Sequence, residues 1–504
     1  MSLLGIDVGA SGCRATAFSV EGLPLAQARH VYSVQVGRDG TFQLDSHSVW
    51  GAARRAIREV AARTQQDPIT ALSVSSIGEA MTPLSAEGRI LGNCILGPDE
   101  RTAKYAQELE RSLGAQRLFD ISGSVPGASS SLANLCWLRE NEPQTFASTW
   151  RFLPLSTLIC HFLGGTATCD YSLASRTLLF DVGRREWSRE LLQACSISRQ
   201  KLPRLGAAGT PVGTVSPTRA QELGLHPKVR LVLGGHDRCG RALGSGVVHS
   251  GLAACSLGSA VSVTPAFHAI PLTSLMLSRG LSMQRHLVPG MFVSLFHDRS
   301  GGSILKWFAD NLAPLERRQA RRQGVSVYDA LLAEMPEQPT GLMVLPHFGP
   351  TGPPHFDTKA SGAILGLDTA TTRGQIIKAL LEGMSYRCAE GQLLFEEAGI
   401  RIDLYRATGG GARSQSWLQL AADILAVPVE RTQVADTGTL GAAIVAGVGS
   451  GAYAGFEEGV ETAVHVETRF VPDPERHAAY QVKVEQYREL YPLLRDYLRR
   501  MMPR

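Results

Sequence analysis

The feature that most constrains the fold is a strand–turn–strand pattern with small residues at the bend, which occurs twice, about half a chain apart. The first copy joins apolar segments 3–8 and 15–20, and the second joins 252–257 and 260–263. Short apolar runs separated by glycine-containing turns predict β-hairpins. Repetition of such a unit indicates two related domains, although hairpins are common enough that the repeat alone does not establish a duplication.

Strand and helix patterns alternate around both hairpins. A helix is predicted near 46–64, where apolar residues recur on one face, and a strand follows at 69–74. In the second half, a continuous apolar strand is predicted at 229–233. Alternation of this kind is typical of α/β domains, and 504 residues are too many for a single core.

Three further helices are predicted towards the end of the chain, at 417–425, 438–446 and about 474–500. The second of these consists almost wholly of small and apolar residues, so it must pack tightly against another element. The last is amphipathic and is interpreted as a helix that closes its domain. A coiled-coil dimer is the alternative, but its apolar pattern spans few heptads.

Composition and charge exclude several classes of function. The formal net charge is only +4, and the densest basic run, at 317–322, is best explained as a solvated helix face, so no nucleic-acid partner is expected. Nine cysteines without a Cys-x-x-Cys pair suggest neither a disulfide framework nor a zinc site. The sequence shows no secretory signal and no membrane span, which predicts a cytoplasmic protein.

Small residues at several turns are suited to binding phosphate, because backbone N–H groups can approach it closely only where side chains are small. The chain contains neither a P-loop nor the glycine motif of dinucleotide-binding domains. Each turn taken singly is better explained as an ordinary hairpin turn. The residues concerned are Gly9, Ala10, Ser11 and Gly12 in the first hairpin, Gly258 and Ser259 in the second, and Gly302 further on.

Charged residues lie where apolar strands end, which is where ligands bind in open α/β sheets. Asp7 could help to hold hydrated Mg²⁺ or cap local backbone N–H groups. Asp237 could accept the proton of an attacking hydroxyl or serve as the N-cap of the next segment. Glu79, Asp99 and Arg101 could bind sugar hydroxyls, although ordinary loop polarity explains each one singly.

The order of these motifs resembles that of the FGGY carbohydrate kinases of the actin/Hsp70/hexokinase superfamily, over almost the whole chain. Each motif is weak alone, but their number and order are highly specific. The matching segments are LGIDVGASGCR at 4–14, DERT at 99–102, CWLRENEP at 136–143, DYSLASRT at 170–177, GGHD at 234–237 with ALGSG at 242–246, SLGS at 256–259, GGGARSQ at 409–415 and GTLGAA at 438–443.

The resemblance implies an α/β fold of two actin-like (ribonuclease H-like) ATPase domains that flank a catalytic cleft. Residues 1–245 would form the N-terminal domain, with the sugar site, the first phosphate loop and the catalytic base at its end. Residues 246–504 would form the C-terminal domain, with the second phosphate loop, the adenosine site and the closing helices. The implied activity is Mg-ATP-dependent phosphorylation of a hydroxyl of a small sugar.

The resemblance also implies roles for individual residues. Asp237 would be the general base, and Glu79, Asp99 and Arg101 would bind the sugar together with it. Asp7 would hold Mg²⁺ through water. ATP contacts are implied for Gly9, Ala10, Ser11, Gly12, Arg14, Gly258, Ser259, Gly302, Gly410, Gly411, Ala412 and Gln415.

The segments expected to set specificity depart from the family pattern. Segment 76–81 lacks the Arg-Glu pair of glycerol kinases and the Met-His pair of typical xylulokinases, Gly97 replaces the usual Trp, and the common Gly-Glu-Arg-x-Pro motif is GPTGP at 349–353. The general run of motifs favours a ketopentose such as D-xylulose. Another ketose, a tetrulose, a polyol or an aldonate stays open, as do an actin/Hsp70-like ATPase and a sugar-sensing protein. A homodimer is compatible with the family.

Overall fold

The computed structural model describes residues 1–127 and 129–501, which include two large sheets. The strands of the first are β1 (Ser2–Val8), β2 (Gly12–Ser19), β3 (Pro24–Val31), β4 (Ile69–Ser76), β5 (Pro211–Thr214) and β6 (Arg230–Val232). Their spatial order is β5-β6-β4-β1-β2-β3. β4 runs parallel to both β1 and β6, and the other pairs are antiparallel.

The second sheet repeats this pairing pattern. Its strands are β7 (Gly251–Leu257), β8 (Val261–Phe267), β9 (Met283–Arg285), β10 (Phe292–Ser294), β11 (Phe296–Asp298), β12 (Ile402–Thr408), β13 (Val429–Thr432) and β14 (Val466–Phe470). Their order is β9-β10-β8-β7-β12-β13-β14, with β11 also beside β8. Hairpin β7–β8 corresponds to β1–β2, and β12 and β13 follow as parallel neighbours. The two related domains predicted from the hairpins are therefore observed.

Seven helices position the site or close the second domain: α1 (Ser46–Arg63), α2 (Asp237–Gly244), α3 (Gly302–Asn311), α4 (Arg373–Glu397), α5 (Gln415–Leu425), α6 (Thr437–Ser450) and α7 (Pro474–Met501). The other α-helices are Ala103–Leu113, Ala115–Ser122, Ser131–Asn141, Pro143–Ser148, Leu155–Leu163, Tyr171–Ala174, Arg189–Ala194, Pro217–Leu223, Thr273–Ser278, Pro314–Gln323, Val327–Leu332 and Phe456–Ala463. Short 3₁₀ turns span Glu100–Thr102, Arg199–Lys201 and Gly410–Arg413. Within residues 1–127 and 129–501, no helix is long and apolar enough to cross a membrane.

The remaining strands form small two- and three-stranded sheets between the main elements. They are Gln35–Val36, Phe42–Leu44, Met81–Leu84, Cys94–Ile95, Arg151–Pro154, Thr168–Asp170, Phe180–Asp181, Glu186–Trp187, Arg204–Gly206, Met343–Leu345 and Ala363–Leu365.

The helices follow the expected local chemistry. α1 begins after Asp45, whose carboxylate accepts the backbone N–H groups of the first turn, and it buries its apolar face against the first sheet. The basic helix Pro314–Gln323 buries only Ala320, which confirms its assignment as a solvated face. α7 buries Tyr480, Val484, Tyr487 and Tyr491, whereas Tyr497, expected on the apolar face, is 56% exposed because Leu498 takes the place against the core in the last turn.

α2 and α6 cross in direct backbone contact. A Cβ atom added to Gly244 would lie 1.9 Å from the Thr437 carbonyl oxygen, and one added to Gly441 would lie 1.9 Å from that of Gly240. α6 also lies against β1, where a Cβ on Gly5 would meet a backbone oxygen of α6 at 1.8 Å. We call Gly5, Gly240, Gly244 and Gly441 the glycine seam. It explains why α6 consists of small residues, since it packs on both α2 and the first sheet.

Gly441→Ala is expected to lower the free energy of unfolding by about 1–3 kcal/mol, because the added methyl group forces two backbones apart. Urea unfolding would measure the change. Gly455→Ala is the matched control, since a Cβ there has no neighbour within 4 Å. Equal stability of the two variants would show that the seam tolerates a side chain and would contradict the prediction.

Candidate active site

Three parallel strands, β1, β4 and β6, place carboxylates at one edge of the first sheet. Asp7 lies near the end of β1, Glu79 follows β4, and Asp237 follows β6. The ends of β4 and β6 remain joined, because the Ser76 N–H donates to the Gly235 carbonyl at 3.0 Å. This is the edge of an α/β sheet at which ligands bind, so the sheet itself brings the predicted groups together.

Asp7 is a buried carboxylate with incomplete compensation. The Ser75 hydroxyl donates to it at 3.2 Å, and the Arg241 guanidinium lies 3.7 Å away. Burial raises the pKa of Asp7 to about 6, against the opposing charge of Arg241. Among the described residues no backbone N–H donates to it, so the capping alternative is not observed. A hydrated cation beside this carboxylate would offset the cost of its burial, and the site therefore fits a divalent metal.

Asp237 is the first residue of α2, and its carboxylate is ionised. Arg241 donates to one oxygen at 2.8 Å, and His236 Nε2 lies 3.2 Å from the other. Burial alone would raise the pKa of Asp237, but Arg241, together with His236 and Arg238, outweighs burial and holds the pKa below its usual value. The N-cap of α2 is His236, so the N-cap alternative for Asp237 is not observed. A carboxylate in this state can accept a proton at neutral pH.

Arg241 connects the two aspartates and was missed by sequence reasoning. The Asp237 carboxylate raises the pKa of Arg241, which stays charged. The only sequence signal was its position four residues after Asp237, a spacing that lets oppositely charged side chains meet on a helix. Beside this pair, Arg14 lies 3.5 Å from Asp436, just before α6. Residues from both halves of the sequence therefore meet at the site.

The turn between β1 and β2 presents free backbone donors. Its shape is held by the Gly9 N–H, which donates to Gly12 at 3.0 Å, and by the Tyr32 hydroxyl, which donates to the Gly9 carbonyl at 2.6 Å. Ala10 and Ser11 are exposed, and their backbone N–H groups have no acceptor within the part of the chain that the structure covers. Donors in this state are suited to phosphate oxygens.

Three glycine turns of the second domain meet at one place. The Gly302 N–H donates to the Gly258 carbonyl at 2.8 Å, and the Ser303 N–H donates to the Ser259 carbonyl at 3.3 Å. A Cβ on Gly409 would lie 2.9 Å from the Gly258 nitrogen, so the turn before Gly410 reaches the same place. The structure thus groups the predicted phosphate residues of this domain at the start of α3.

A buried ion network supports this group of turns from behind. Arg387 of α4 is fully buried, donates to one oxygen of Asp298 at 2.8 Å and pairs with Glu390. The other Asp298 oxygen accepts the Ser300 N–H at 3.0 Å, next to the phosphate turn. Burial would raise the pKa of Glu390, but Arg387 reverses the effect and lowers it to about 2. The network therefore fixes the turn to α4.

The predicted adenosine residues lie at the start of α5. Gly410 and Gln415 are exposed, whereas Ala412 is buried beneath them. Gly411 is confined, since a Cβ there would lie 2.4 Å from the Trp417 ring. Only the exposed members of this set are accessible to a ligand, so contact between Ala412 and ATP would have to involve its backbone.

Glu79 and Asp99 differ in what they can offer to an acceptor. Glu79 is partly exposed and lies 3.4 Å from Arg176. Asp99 is fully buried, and both its oxygens accept hydrogen bonds from the Arg101 guanidinium, at 2.9 and 2.7 Å. Backbone N–H groups occupy the same oxygens. Asp99 therefore holds Arg101 in place, and direct contact of either residue with a sugar stays a prediction.

Gly78 and Gly97 make room for Arg176 and Glu79, two charged side chains beside the predicted sugar site. A Cβ on Gly78 would lie 2.4 Å from Arg176 Cγ, and one on Gly97 would lie 2.9 Å from a carboxylate oxygen of Glu79 and 2.8 Å from the Ser129 hydroxyl. Gly97 is the position at which the family pattern has Trp. Arg176 and Glu79 thus fill the space that larger side chains at 78 and 97 would take in the predicted sugar site.

Gly78→Ala is expected to raise the KM for the acceptor by about tenfold or more, since overpacking costs about 1–3 kcal/mol and displaces Arg176. The KM for ATP should stay unchanged. Steady-state kinetics would measure both constants. Gly341→Ala, whose Cβ would have no neighbour within 4 Å, is the control. An unchanged acceptor KM would contradict the prediction.

Two family models match the chain. The N-terminal domain of the FGGY family of carbohydrate kinases matches residues 2–244, and the C-terminal domain of the same family matches residues 290–450. The matches include Asp7, Asp237 and the turn at Gly410. The protein is an ATP-dependent kinase that acts on a carbohydrate. It belongs to the FGGY family of carbohydrate kinases.

Individual relatives and a solved structure match this chain over almost its full length. The chain is 26% identical to the xylulose kinase of Bacillus subtilis over 98% of this chain and 97% of that protein. It is 28% identical to the xylulose kinase of Escherichia coli over 97% of this chain and 98% of that protein. The structure of ligand-bound xylulose kinase from Lactobacillus acidophilus superposes with a TM-score of 0.88, at 19% identity, over 99% of this chain and 100% of that one. The predicted fold of two actin-like α/β domains is confirmed.

Kinases of this family use ATP with a divalent metal. Within residues 1–127 and 129–501, no three His, Cys, Asp or Glu side chains are grouped so that they could hold a metal directly. Asp7 is a buried carboxylate with a raised pKa at this edge, and it fits contact with a metal through water better than direct ligation by a protein cage.

Proposed function

We propose that this kinase transfers the γ-phosphoryl group of Mg-ATP to a hydroxyl of a small sugar, with a ketopentose such as D-xylulose as the first candidate. The observation that carries the proposal is the buried, ionised Asp237 that follows β6, at the sheet edge that also carries Asp7 and Glu79. The relatives that are named xylulose kinases support the choice of substrate.

Asp237 is the proposed general base. As the acceptor oxygen forms its bond to the γ-phosphorus, its proton passes to the carboxylate, and the bond from phosphorus to the bridging oxygen of ADP breaks. Arg241 keeps Asp237 ionised before transfer and stays close enough to stabilise charge during it. Glu79 accepts hydrogen bonds from acceptor hydroxyls, and Asp99 acts indirectly by orienting Arg101.

The metal would be Mg²⁺, held through water by Asp7, and it would neutralise phosphate charge. The triphosphate is proposed to lie between the two hairpin turns, where Ala10 and Ser11 offer free N–H groups and Arg14 adds a positive charge. Gly258, Ser259 and Gly302 provide the facing surface, and the adenosine would lie against the start of α5, near Gly410, Gly411 and Gln415. Closure of domains 1–245 and 246–504 would exclude water from the transfer.

The proposal is tested by ADP release from Mg-ATP across D-xylulose, other ketopentoses, tetruloses, polyols and aldonates. Acceptor-dependent ADP release supports the kinase, and the acceptor with the highest kcat/KM identifies the substrate. Strong turnover of D-xylulose supports the ketopentose. ADP release that no acceptor increases would contradict phosphoryl transfer to a sugar and favour an ATP-driven switch on the same fold.

A further inference from the structure

Arg238, on α2 beside the proposed sugar site, has no hydrogen-bond or ion-pair partner among the described residues. Arg238 and Arg241 lie three residues apart on α2, and Arg241 is occupied by Asp237 at 2.8 Å and by Asp7 at 3.7 Å. Arg238 is half-buried, yet it makes no hydrogen bond or ion pair with any residue that the structure describes. Its burial lowers the pKa of Arg238. Asp237 and Glu79 act on its charge only at longer range, so the guanidinium donors of Arg238 stay available to an anionic group of a ligand.

Arg176 faces the same space and is only partly paired. Its contact with Glu79 is long, at 3.4 Å, and its Nε is buried without an acceptor among the described residues. Gly78 leaves room for this side chain, since any Cβ there would collide with it. Both arginines also lie near His297. Burial, together with the charges of Arg238 and Arg176, lowers the pKa of His297 to about 3, so this histidine is neutral.

The guanidinium donors on this side of Asp237 therefore lack enough close acceptors among the described residues. Two permanent cations, Arg176 and Arg238, face one carboxylate, Glu79, and Asp237 is already paired with Arg241. A guanidinium offers a planar pair of N–H donors that matches a carboxylate or phosphoryl group better than it matches a neutral hydroxyl. A neutral sugar would leave Arg238 uncompensated.

We propose that Arg176 and Arg238 form a binding site for an anionic group of the acceptor, so that the substrate is a sugar acid or a sugar phosphate rather than a neutral sugar. The inference rests on the proposed transfer to an acceptor beside Asp237, and it names a different acceptor from the neutral ketopentose. The phosphorylated hydroxyl lies at Asp237, and the anionic group lies towards Arg238.

The experiment compares five-carbon acceptors that differ in charge: D-xylonate, D-xylulose 5-phosphate, D-xylulose and xylitol. We expect kcat/KM for one of the two anions to exceed that of both neutral compounds by about 10- to 100-fold, as hydrogen bonds to charged groups contribute about 1.5–3 kcal/mol. Preference for D-xylonate identifies a carboxylate, and preference for the phosphate ester identifies a phosphoryl group. Calorimetric titration of the four compounds without ATP measures binding independently of turnover.

Two variants test the residues. Arg238→Gln should raise the KM for the anion by about 10- to 100-fold and leave the KM for xylitol nearly unchanged, whereas Arg238→Lys should retain much of the preference. Arg317→Gln, in an exposed helix, is the control for loss of one positive charge. Thermal unfolding of each variant with and without Mg-ADP verifies that the protein is folded.

The outcomes separate the two proposals. Turnover that favours an anion and depends on Arg238 supports the anionic site, whereas binding without turnover counts only for D-xylonate, because D-xylulose 5-phosphate could also bind as the product formed from D-xylulose. Turnover of neutral acceptors only, with an equal effect of Arg238→Gln on every acceptor, overturns it and leaves the kinase proposal intact. A raised KM for ATP with no change for any acceptor also overturns it, since Arg238 would then serve the nucleotide. Binding of D-xylonate, with no acceptor of the panel increasing ADP release, supports the site and contradicts the proposed transfer.

Discussion

Replacing Asp237 with asparagine is expected to lower kcat by about 10²- to 10⁴-fold, the range that general acid–base catalysis contributes. Asparagine keeps the shape of the side chain and can still accept a hydrogen bond from Arg241, but it cannot take the acceptor proton. The KM values for ATP and acceptor should change little, because the binding residues remain. Steady-state ADP release and calorimetric binding of the acceptor measure the two effects separately.

The control for Asp237→Asn is Asp45→Asn. Asp45 is also an aspartate at the start of a helix, α1, but its carboxylate only caps backbone N–H groups. That variant should keep full activity and lose at most about 1 kcal/mol of stability, a typical value for a cap. If Asp237→Asn retained more than a tenth of wild-type kcat, Asp237 would not be the base.

Arg387→Met is expected to cause the largest loss of stability of any substitution considered, about 3–5 kcal/mol, the cost of breaking a buried ion pair. The guanidinium is fully buried between Asp298 and Glu390, and its removal leaves two buried carboxylates without an arginine, with only His355 among the described basic residues within 3.5 Å of Glu390. Urea unfolding at neutral pH measures the loss. Since Asp298 also holds the Ser300 N–H, the KM for ATP should rise in the folded variant.

Arg373→Met is the matched control, because Arg373 lies on the same helix and pairs with Glu316 and Glu334 at the surface. Exposed pairs contribute about 0–1 kcal/mol, so this variant should be nearly as stable as the wild type. A similar loss in both variants would mean that helix propensity or packing, rather than the buried pair, explains the effect of Arg387→Met.

The pH dependence of that loss has a definite sign. In the wild type, the pKa of Glu390 falls from its usual 4.5 to about 2, so the stability it contributes is present above pH 4.5 and is lost as the pH falls through 2. Without Arg387, burial would instead favour the protonated carboxyl. The gap in stability between wild type and Arg387→Met should therefore narrow as the pH is lowered from neutrality towards 3. A gap independent of pH would contradict this account.

Local patterns were enough to predict individual strands and helices, whereas the two-domain actin-like architecture was implied by the resemblance of the motif order to the FGGY kinases. The two hairpins, α1, α5 and the start of α7 are encoded by short-range periodicity and small residues, and the structure has them within a few residues of the predicted bounds. The place of α6 was not predictable from its own segment. Its run of small residues required a close neighbour, but nothing local indicated that a helix at 437–450 would pack on a strand at 2–8.

Side-chain pairing explains most of what sequence reasoning missed at the site. The saturation of Asp99 by Arg101 and backbone donors, and the contact of Arg176 with Glu79, depend on where separate segments lie in three dimensions. The same holds for Arg238, which is notable because none of the described residues forms a close hydrogen bond or ion pair with it, although Asp237 and Glu79 lie within electrostatic range. Motifs locate carboxylates, whereas the charge balance that decides their role is a property of the folded chain.

The glycine seam has a mechanical consequence. Because α2 and α6 touch through backbone atoms, no side chain at their crossing can change rotamer and let one helix slide along the other, so we expect closure to be a rotation about a fixed pivot. Asp237 starts α2 and Asp436 directly precedes α6, which places both near that pivot, where a rotation displaces atoms least. The carboxylates that need accurate placement would then stay still while turns on a longer lever arm, such as Gly258–Ser259, travel to meet the nucleotide.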